Sequence, residues 1–369
     1  MNRLFRWDQM GLFLLALAAG ILPFAVPEVC AATLREGLTL CSGPLLLSLF
    51  PFLVVSRLLI QCPESDLLAL PFRLAAWGIG IRTPCAARVL CIGFLGGFAP
   101  AASAAAQAVR TGQLTAEEAD ALLPACICSG PSFVVLTVGQ SLLGSAELGV
   151  LLFASQITAN YLTAALLNRF AGVHSVEQES AAQASPAPPR LDEILADAAI
   201  TYCKLCGFIL FFRLLAAGAG ALLPTGAGTL CAILLEVCSG CDLASRTGQW
   251  GSLLCCAALS VQGLSVLLQV RTICPPEMTL RPLYRARMLH LPLSLALFYL
   301  LLPGGEADVF STLPARVLLM RRVPPDCALL VFAVCCMAAC TLRSGIRQVE
   351  QKQMARNAGG CCINSKTLL

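Results

Sequence analysis

The stretch "CICSGPSFVVLTVG", residues 126–139, interrupts a long apolar region with Ser129, Gly130 and Pro131. All three weaken a helix: proline lacks a backbone donor and clashes with the preceding turn, and glycine costs about 1 kcal/mol relative to alanine. The stretch therefore predicts an interrupted helix. Non-helical backbone at membrane depth is tolerated where protein buries it or where it lines a cavity, so this interruption marks a candidate functional position.

The overall composition places the chain in a membrane. Of its 369 residues, 57% are hydrophobic and only 12% are charged, whereas a soluble domain carries roughly 25% charged residues. This is too little charge to cover a soluble surface. Nucleic-acid binding is not expected either, because the sequence has no basic patch interleaved with aromatic residues. We therefore expect an all-α polytopic membrane protein.

The 21 cysteines do not form a metal motif. Most lie in apolar runs, where cysteine behaves as a small hydrophobic residue. The spacings Cys203-x-x-Cys206 and Cys238-x-x-Cys241 lack the second pair or the histidines that a structural zinc site uses. We expect no metal, no other cofactor and no catalytic residues, because no nucleophile with a base, Gly-x-Ser-x-Gly motif or close acidic pair is present.

The apolar segments predict about eight to ten membrane segments, since each crossing needs about 20 apolar residues. A polar, proline-rich stretch at 176–190 predicts a linker, and 191–203 has the spacing of an amphipathic surface helix. Lysines and arginines after Leu342 predict a cytosolic C-terminal tail. The loop with Arg281, Arg285 and Arg287 is predicted to be cytosolic for the same reason.

The linker divides the membrane part into two halves. The expected units are an N-terminal membrane helix (1–30), a first membrane repeat (31–170), a cytosol-facing or surface linker with an amphipathic helix (171–200), a second repeat (201–303), an interfacial segment with a last membrane helix (304–342) and a basic cytosolic tail (343–369).

The interruption at 128–131 recurs. "CSGP" also occurs at 41–44, "CSG" occurs at 238–240, and each lies within an apolar run. Interruptions at corresponding places of two halves are the sequence mark of an inverted-repeat transporter fold with broken helices or re-entrant hairpins. The alternative is structural, because small residues also let membrane helices pack closely and proline can be a simple kink.

Glu236 is the sharpest single residue of this pattern. A carboxylate at the bilayer centre costs at least about 2.5 kcal/mol, so it indicates either a functional site or a protonated or internally paired Glu that ties two helices together. Gln262, Ser265 and Gln269 have the spacing of one helical face. The solute-binding or gating candidates are Ser42, Gly43, Pro44, Ser129, Gly130, Pro131, Glu236, Ser239, Gly240, Ser265 and Gln269. At 115–118, "TAEE" predicts a capping box.

The chain resembles the YlbJ-like sporulation integral membrane proteins, which contain nucleoside-recognition gate repeats. The resemblance spans roughly 38–290, through "SGPLLLSLFPFLVVSRLLI" (42–60), the stretch 93–139, "LLEVCSG" (234–240) and "GLSVLLQV" (263–270). It implies a role in endospore formation, a multi-pass location in the cell membrane (the forespore or mother-cell membrane) and kinship with nucleoside transporters.

The chain departs from this family at several polar positions. Ile127 and Cys128 replace asparagines before Ser-Gly-Pro, Ser239 replaces an asparagine, and Leu267 replaces a histidine. The family's Gly-Tyr-Pro motif and lysine are also altered, at 97–103. Each change removes polarity, so the resemblance leaves open whether this chain binds a different solute or none.

Two functions follow from these observations. The first is a transporter-like protein with a midplane solute or ion site at the broken helices. The second is a structural or assembly protein of the spore envelope that binds no solute. The expected partners are membrane lipid, a small solute such as a nucleoside, and a second copy of the chain.

Overall fold

The computed structural model describes residues 7–61, 65–171 and 190–302, and every regular element in these ranges is helical. The predicted units 304–342 and 343–369 lie outside the described residues, as does the polar linker 176–189. The predicted all-α class is therefore shown for the described part of the chain.

The described helices of the first half are α1 (Trp7–Ala25), α2 (Pro27–Ser42), α3 (Pro44–Gln61), α4 (Ser65–Leu68), α5 (Leu70–Gly78), α6 (Pro84–Gly96), α7 (Phe98–Arg110), α8 (Ala116–Cys126), a π-helix (Ser132–Leu142) and α9 (Ala146–Ala171). Those of the second half are α10 (Leu191–Leu222), α11 (Thr225–Leu235), α12 (Val237–Ser245), a 3₁₀ turn (Gly248–Trp250), α13 (Gly251–Val261), α14 (Gly263–Ile273) and α15 (Arg281–Leu301).

Four helical stretches of the described residues are long and apolar enough to cross a membrane: Pro27–Ile60, Ala146–Ala171, Leu191–Leu222 and Gly248–Ile273. They support the prediction of a membrane protein by length and composition, while the count of eight to ten segments stays a prediction. The predicted amphipathic helix at 191–203 is the first part of α10, a single uninterrupted helix of 32 residues in all.

Two apolar stretches, 84–110 and 225–245, are each a pair of shorter helices lying side by side. Arg88, near the start of α6, donates a 2.9 Å hydrogen bond to Gln113, just beyond the end of α7, so the chain turns back at Gly97. The pair α11–α12 turns back at Glu236. The evidence is the close approach of the residues on either side: a Cβ added to Gly240 would lie 2.8 Å from the Cα of Ile233. The turns arise where the backbone leaves helical geometry, with φ of 81° at Gly97 and −153° at Glu236.

The start of α8 is fixed as the sequence predicts. Thr115 Oγ1 accepts a hydrogen bond from the N–H of Glu118 at 3.1 Å, and Glu118 accepts one from the N–H of Thr115 at 3.0 Å. The capping box at 115–118 is therefore confirmed. It satisfies two backbone donors that a helix start otherwise leaves without a partner.

One turn further on, Asp120 ties α8 to the segment before α15. Its buried carboxylate accepts hydrogen bonds from the N–H and hydroxyl of Thr279, at 2.8 and 2.6 Å, and from the N–H of Leu280 at 3.1 Å. Leu280 has a positive φ of 57°. The three bonds hold this turn in place and fix where α15 begins.

The Asp120 contact predicts a clear loss of stability in Asp120→Ala. Hydrogen bonds to a charged group contribute about 1.5–3 kcal/mol each, and the variant loses three. We expect the melting temperature of the purified protein in detergent to fall by roughly 4 °C or more. Glu117→Ala removes the same charge from an exposed position of the same helix and should change it little. Equal melting temperatures for the two variants would contradict the assignment.

Candidate functional site

Two junctions between helices cross in the first half of the chain. Gly97 separates α6 from α7, and residues 127–131 separate α8 from the π-helix. A Cβ added to Gly97 would lie 2.7 Å from the N atom of Gly130 and 3.2 Å from the carbonyl oxygen of Cys128. Only a residue without a side chain permits this approach, which we name the first crossing.

A second crossing joins two junctions of the second half. Glu236 separates α11 from α12, and Gln262 separates α13 from α14. A Cβ added to Gly263 would lie 2.8 Å from the N atom of Glu236 and 2.9 Å from the carbonyl oxygen of Leu235. Both Gln262 and Gly263 have positive φ angles, of 62° and 70°, which glycine adopts without strain and glutamine does not.

The two crossings border one small cavity of about 60 Å³, the inner cavity. Its walls include Gly96, Ser129 and Gly130 of the first crossing and Glu236, Val237 and Cys238 at the second, completed by Leu45, Leu49, Leu95, Phe98, Ser132, Phe133, Ile209, Val266 and Gln269. A water needs at least about 10–15 Å³ of such volume, so the cavity has room for a few waters. It is much smaller than a typical organic-ligand pocket of about 300 Å³ or more.

Glu236 caps α12 from inside the protein. Its side chain is 1% exposed, and its two carboxylate oxygens accept hydrogen bonds from the N–H groups of Cys238 at 2.9 Å and Ser239 at 2.7 Å. None of the ion pairs among the described residues includes it. Its charge is therefore stabilised by the positive end of a helix, the favourable place for an anion.

A larger cavity of about 290 Å³, the outer cavity, lies next to the inner one. Gln269 of α14 belongs to the walls of both. Its Nε2 donates to Ser265 Oγ at 2.8 Å, and its buried Oε1 has no hydrogen-bond partner among the described residues. Gln269 thus places a free acceptor where the cavities adjoin.

Cationic side chains dominate the outer cavity. Arg57, Arg110 and Lys204 line it with a single carboxylate, Asp197, which pairs with Arg57 at 2.6 Å. Arg110 and Lys204 take part in none of the ion pairs of the described residues and remain exposed. The cavity therefore has a net positive charge, and Ser103, Thr201 and Thr272 add hydroxyl groups to its wall.

A second polar cluster meets at the carbonyl oxygen of Ile127, in the first crossing. That oxygen accepts hydrogen bonds from Arg287 Nη2 at 2.5 Å, Asn160 Nδ2 at 3.2 Å and Gln262 Nε2 at 3.5 Å. The donors come from α15, α9 and the junction of the second crossing. The cluster joins the two crossings through hydrogen bonds and packs them as one unit.

The structure brings four of the eleven sequence candidates to the inner cavity: Ser129, Gly130, Glu236 and Gln269. Six are not among its lining residues: Ser42, Gly43, Pro131, Ser239, Gly240 and Ser265. The side chain of Pro44 lies outside the described part of the structure. Ser42 donates to the carbonyl of Leu38 in its own helix at 2.8 Å, because its hydroxyl points back along α2.

The other outlying candidates have positions of their own. Gly43 and Pro44 join α2 to α3, and Pro131 precedes the π-helix. Ser239 contributes its backbone N–H to Glu236, and Gly240 packs against Ile233. The predicted face of Gln262, Ser265 and Gln269 holds only for the last two, because Gln262 lies in the junction before α14.

The sequence analysis does not identify two arginines that belong to the polar sites: Arg57 of the outer cavity and Arg287 of the cluster at Ile127. Arg57 lies within the apolar stretch 42–60, and an ionisable residue in a membrane segment is itself a functional signal. The predicted basic loop with Arg281, Arg285 and Arg287 is instead part of α15, where Arg287 is only 7% exposed while the other two are exposed. The sequence signal for this burial is spacing: Arg287 lies four residues after Leu283 and three before His290, so the three share one helical face, which is buried.

Comparison with known proteins adds no relative: no protein-family model, curated protein or solved structure matches the chain. The described residues also contain no group of three or more His, Cys, Asp or Glu side chains that could hold a metal ion.

Gly97→Ala should destabilise the protein. The added methyl group would clash with the backbone of residue 130, and a φ of 81° strains any residue with a side chain, so we expect a loss of more than about 1 kcal/mol. Gly207→Ala in α10 meets open space and should be neutral or stabilising by up to about 1 kcal/mol. Melting temperatures in detergent compare the two, and no difference between them would contradict the first crossing.

Glu236→Gln should cost stability, and Glu236→Ala should cost more. Glutamine offers one acceptor oxygen for the two N–H groups of α12 and places an NH₂ group against the other, whereas alanine removes both acceptors. A lost N-cap costs about 0.5–2 kcal/mol. The measurement is thermal unfolding of the three proteins at equal detergent concentration. Wild-type stability in Glu236→Gln would instead indicate a carboxyl group that is already neutral.

Proposed function

We propose that the chain is a transporter-like membrane protein with two oppositely oriented halves, in which a small anionic solute passes from the outer cavity to the two crossings. The observation that most supports this is the inner cavity, which is bordered by helix junctions from both halves and by the glutamine it shares with the cationic outer cavity. Solute and ion sites of inverted-repeat transporters lie at the interface of the repeats, near discontinuous helices.

The order of elements supports two halves. Each contains a side-by-side helix pair (α6–α7, α11–α12), then a stretch interrupted at a junction (α8 with the π-helix, α13 with α14), then a long helix (α9, α15). In each half, the turn of the pair crosses the junction of the interrupted stretch.

The helix ends support opposite orientation. The 32 residues of α10 span about 48 Å, which is long enough for its two ends to lie at opposite faces of a membrane. Arg110 at the end of α7 lines the outer cavity together with residues of α10 between 196 and 208, in the first half and middle of that helix, which supports an open end of the pair α6–α7 toward the start of α10. The pair α11–α12 instead begins directly after the other end of α10, so the pairs enter from opposite faces.

The charge of the outer cavity supports an anionic solute. Three cations and one carboxylate line it, and charge-assisted hydrogen bonds to oxyanions are about twice as strong as neutral ones. Glu236 faces the inner cavity and repels a second negative charge there, so we assign anion binding to the outer cavity and the barrier to the inner one. Movement of the helix pairs against the remaining helices would open that barrier.

The sequence resemblance adds the proposal that this transport serves endospore formation in the forespore or mother-cell membrane. The alternative, an envelope assembly protein without a solute, is favoured by the dense hydrogen bonding around Ile127, which resembles structural cross-linking between membrane helices. A nucleoside differs from the proposed solute in having no charge, so a nucleoside and its monophosphate form a matched pair of probes.

AMP should bind the purified protein in detergent, and adenosine should bind much more weakly. Lys204→Gln and Arg110→Gln should each weaken AMP binding up to about tenfold, equivalent to 1.4 kcal/mol. Isothermal titration calorimetry measures both affinities. Arg246→Gln serves as a control, because this arginine is exposed, pairs with Asp242 at 2.8 Å and lines neither cavity.

Equal affinity for adenosine and AMP would contradict the anionic class and favour a nucleoside. Absence of binding for both, with folded protein, would favour the envelope assembly role. Loss of AMP binding in the Arg246→Gln control would show that any removed positive charge has the same effect, and the outer cavity would lose its special role.

A further inference from the structure

Arg287 is a buried cation with carbonyl partners. Its side chain projects from α15 and is 7% exposed, and its Nη atoms donate to Ile127 O at 2.5 Å and Ser260 O at 3.3 Å. None of the ion pairs of the described residues includes it. A buried charge needs compensation, and here the backbone provides it.

The two carbonyls belong to the C-terminal ends of two helices. Ile127 directly follows α8, and Ser260 lies in the last turn of α13. The last carbonyls of a helix have no partner within it and form the negative end of its dipole. Both helices end at a crossing, so Arg287 lies where two negative helix ends converge.

This place has a known use in transporters with discontinuous helices. Unwound carbonyls and the C-terminal ends of half-helices coordinate the coupling cation there, Na⁺ or a proton. A guanidinium group is permanently charged and offers five donors in a planar fork, so it can serve two carbonyls at once. Arg287 therefore occupies the position, and supplies the charge, of a bound cation.

We infer that Arg287 is a built-in substitute for a coupling cation, so that solute binding by this protein does not depend on Na⁺ or K⁺. The inference rests on the proposed transporter-like function. Arg287 acts as a positioning residue, because it contacts the crossings and does not line either cavity. It holds the ends of α8 and α13 together while the proposed solute binds on the side of Gln269.

The first test compares salts. The melting temperature and the AMP affinity of the full-length protein are measured in NaCl, KCl and choline chloride at equal ionic strength. We expect both quantities to agree within twofold in affinity and within error in temperature. An affinity more than fivefold higher in Na⁺ or K⁺ than in choline would overturn the inference.

The second test replaces the built-in cation. Arg287→Ala exposes the two carbonyls, so its melting temperature should be several degrees lower than that of the wild type. It should rise with added methylguanidinium at concentrations that leave the wild type unchanged, and it should also become higher in Na⁺ than in choline. Arg281→Ala on the same helix is exposed and should show neither response. A purely structural role for Arg287 predicts a loss of stability that Na⁺ does not relieve, even where methylguanidinium does, and that result would overturn the inference.

If Arg287→Ala does not fold, Arg287→Lys and Arg287→Gln replace it. The single ammonium group of lysine should keep most of the stability and remain insensitive to Na⁺, whereas glutamine should be sensitive. Identical behaviour of the two variants would overturn the inference. If AMP does not bind in any salt, the proposed function fails, while the melting temperatures still decide whether Arg287 replaces a cation.

Discussion

The structure depends on satisfying backbone groups at helix ends that lie deep inside an apolar protein. Each end leaves up to four N–H or four C=O groups without a helical partner, and no bulk water reaches them there. Glu236 accepts hydrogen bonds from free N–H groups at the start of α12, and Arg287 donates hydrogen bonds to free carbonyl groups at the ends of α8 and α13. The few buried charges near the crossings are therefore held by the backbone rather than by each other.

Two glycines make this arrangement sterically possible. Gly97 and Gly263 let two pieces of backbone approach to distances that exclude a Cβ atom. The crossings in turn bring parts distant in sequence to one cavity, since Ser129 and Glu236 are more than 100 residues apart.

Ile127 lies at the polar first crossing although its side chain is apolar. Its carbonyl oxygen nevertheless accepts hydrogen bonds from Arg287, Asn160 and Gln262. The backbone supplies the polarity at this position, so an apolar side chain does not make the crossing apolar.

The sequence by itself indicated a membrane protein, and it determined the helical class, the capping box at 115–118 and the non-helical stretch near 128–131. These follow from composition, from glycine and proline, and from local spacing, which act over a few residues. Only the tertiary structure decided that the junctions cross in pairs, that Ser42 stays outside the cavity, and that Arg57 and Arg287 belong to polar sites. Such facts depend on contacts between residues up to 160 positions apart, and local patterns contain no information about which distant helix lies opposite.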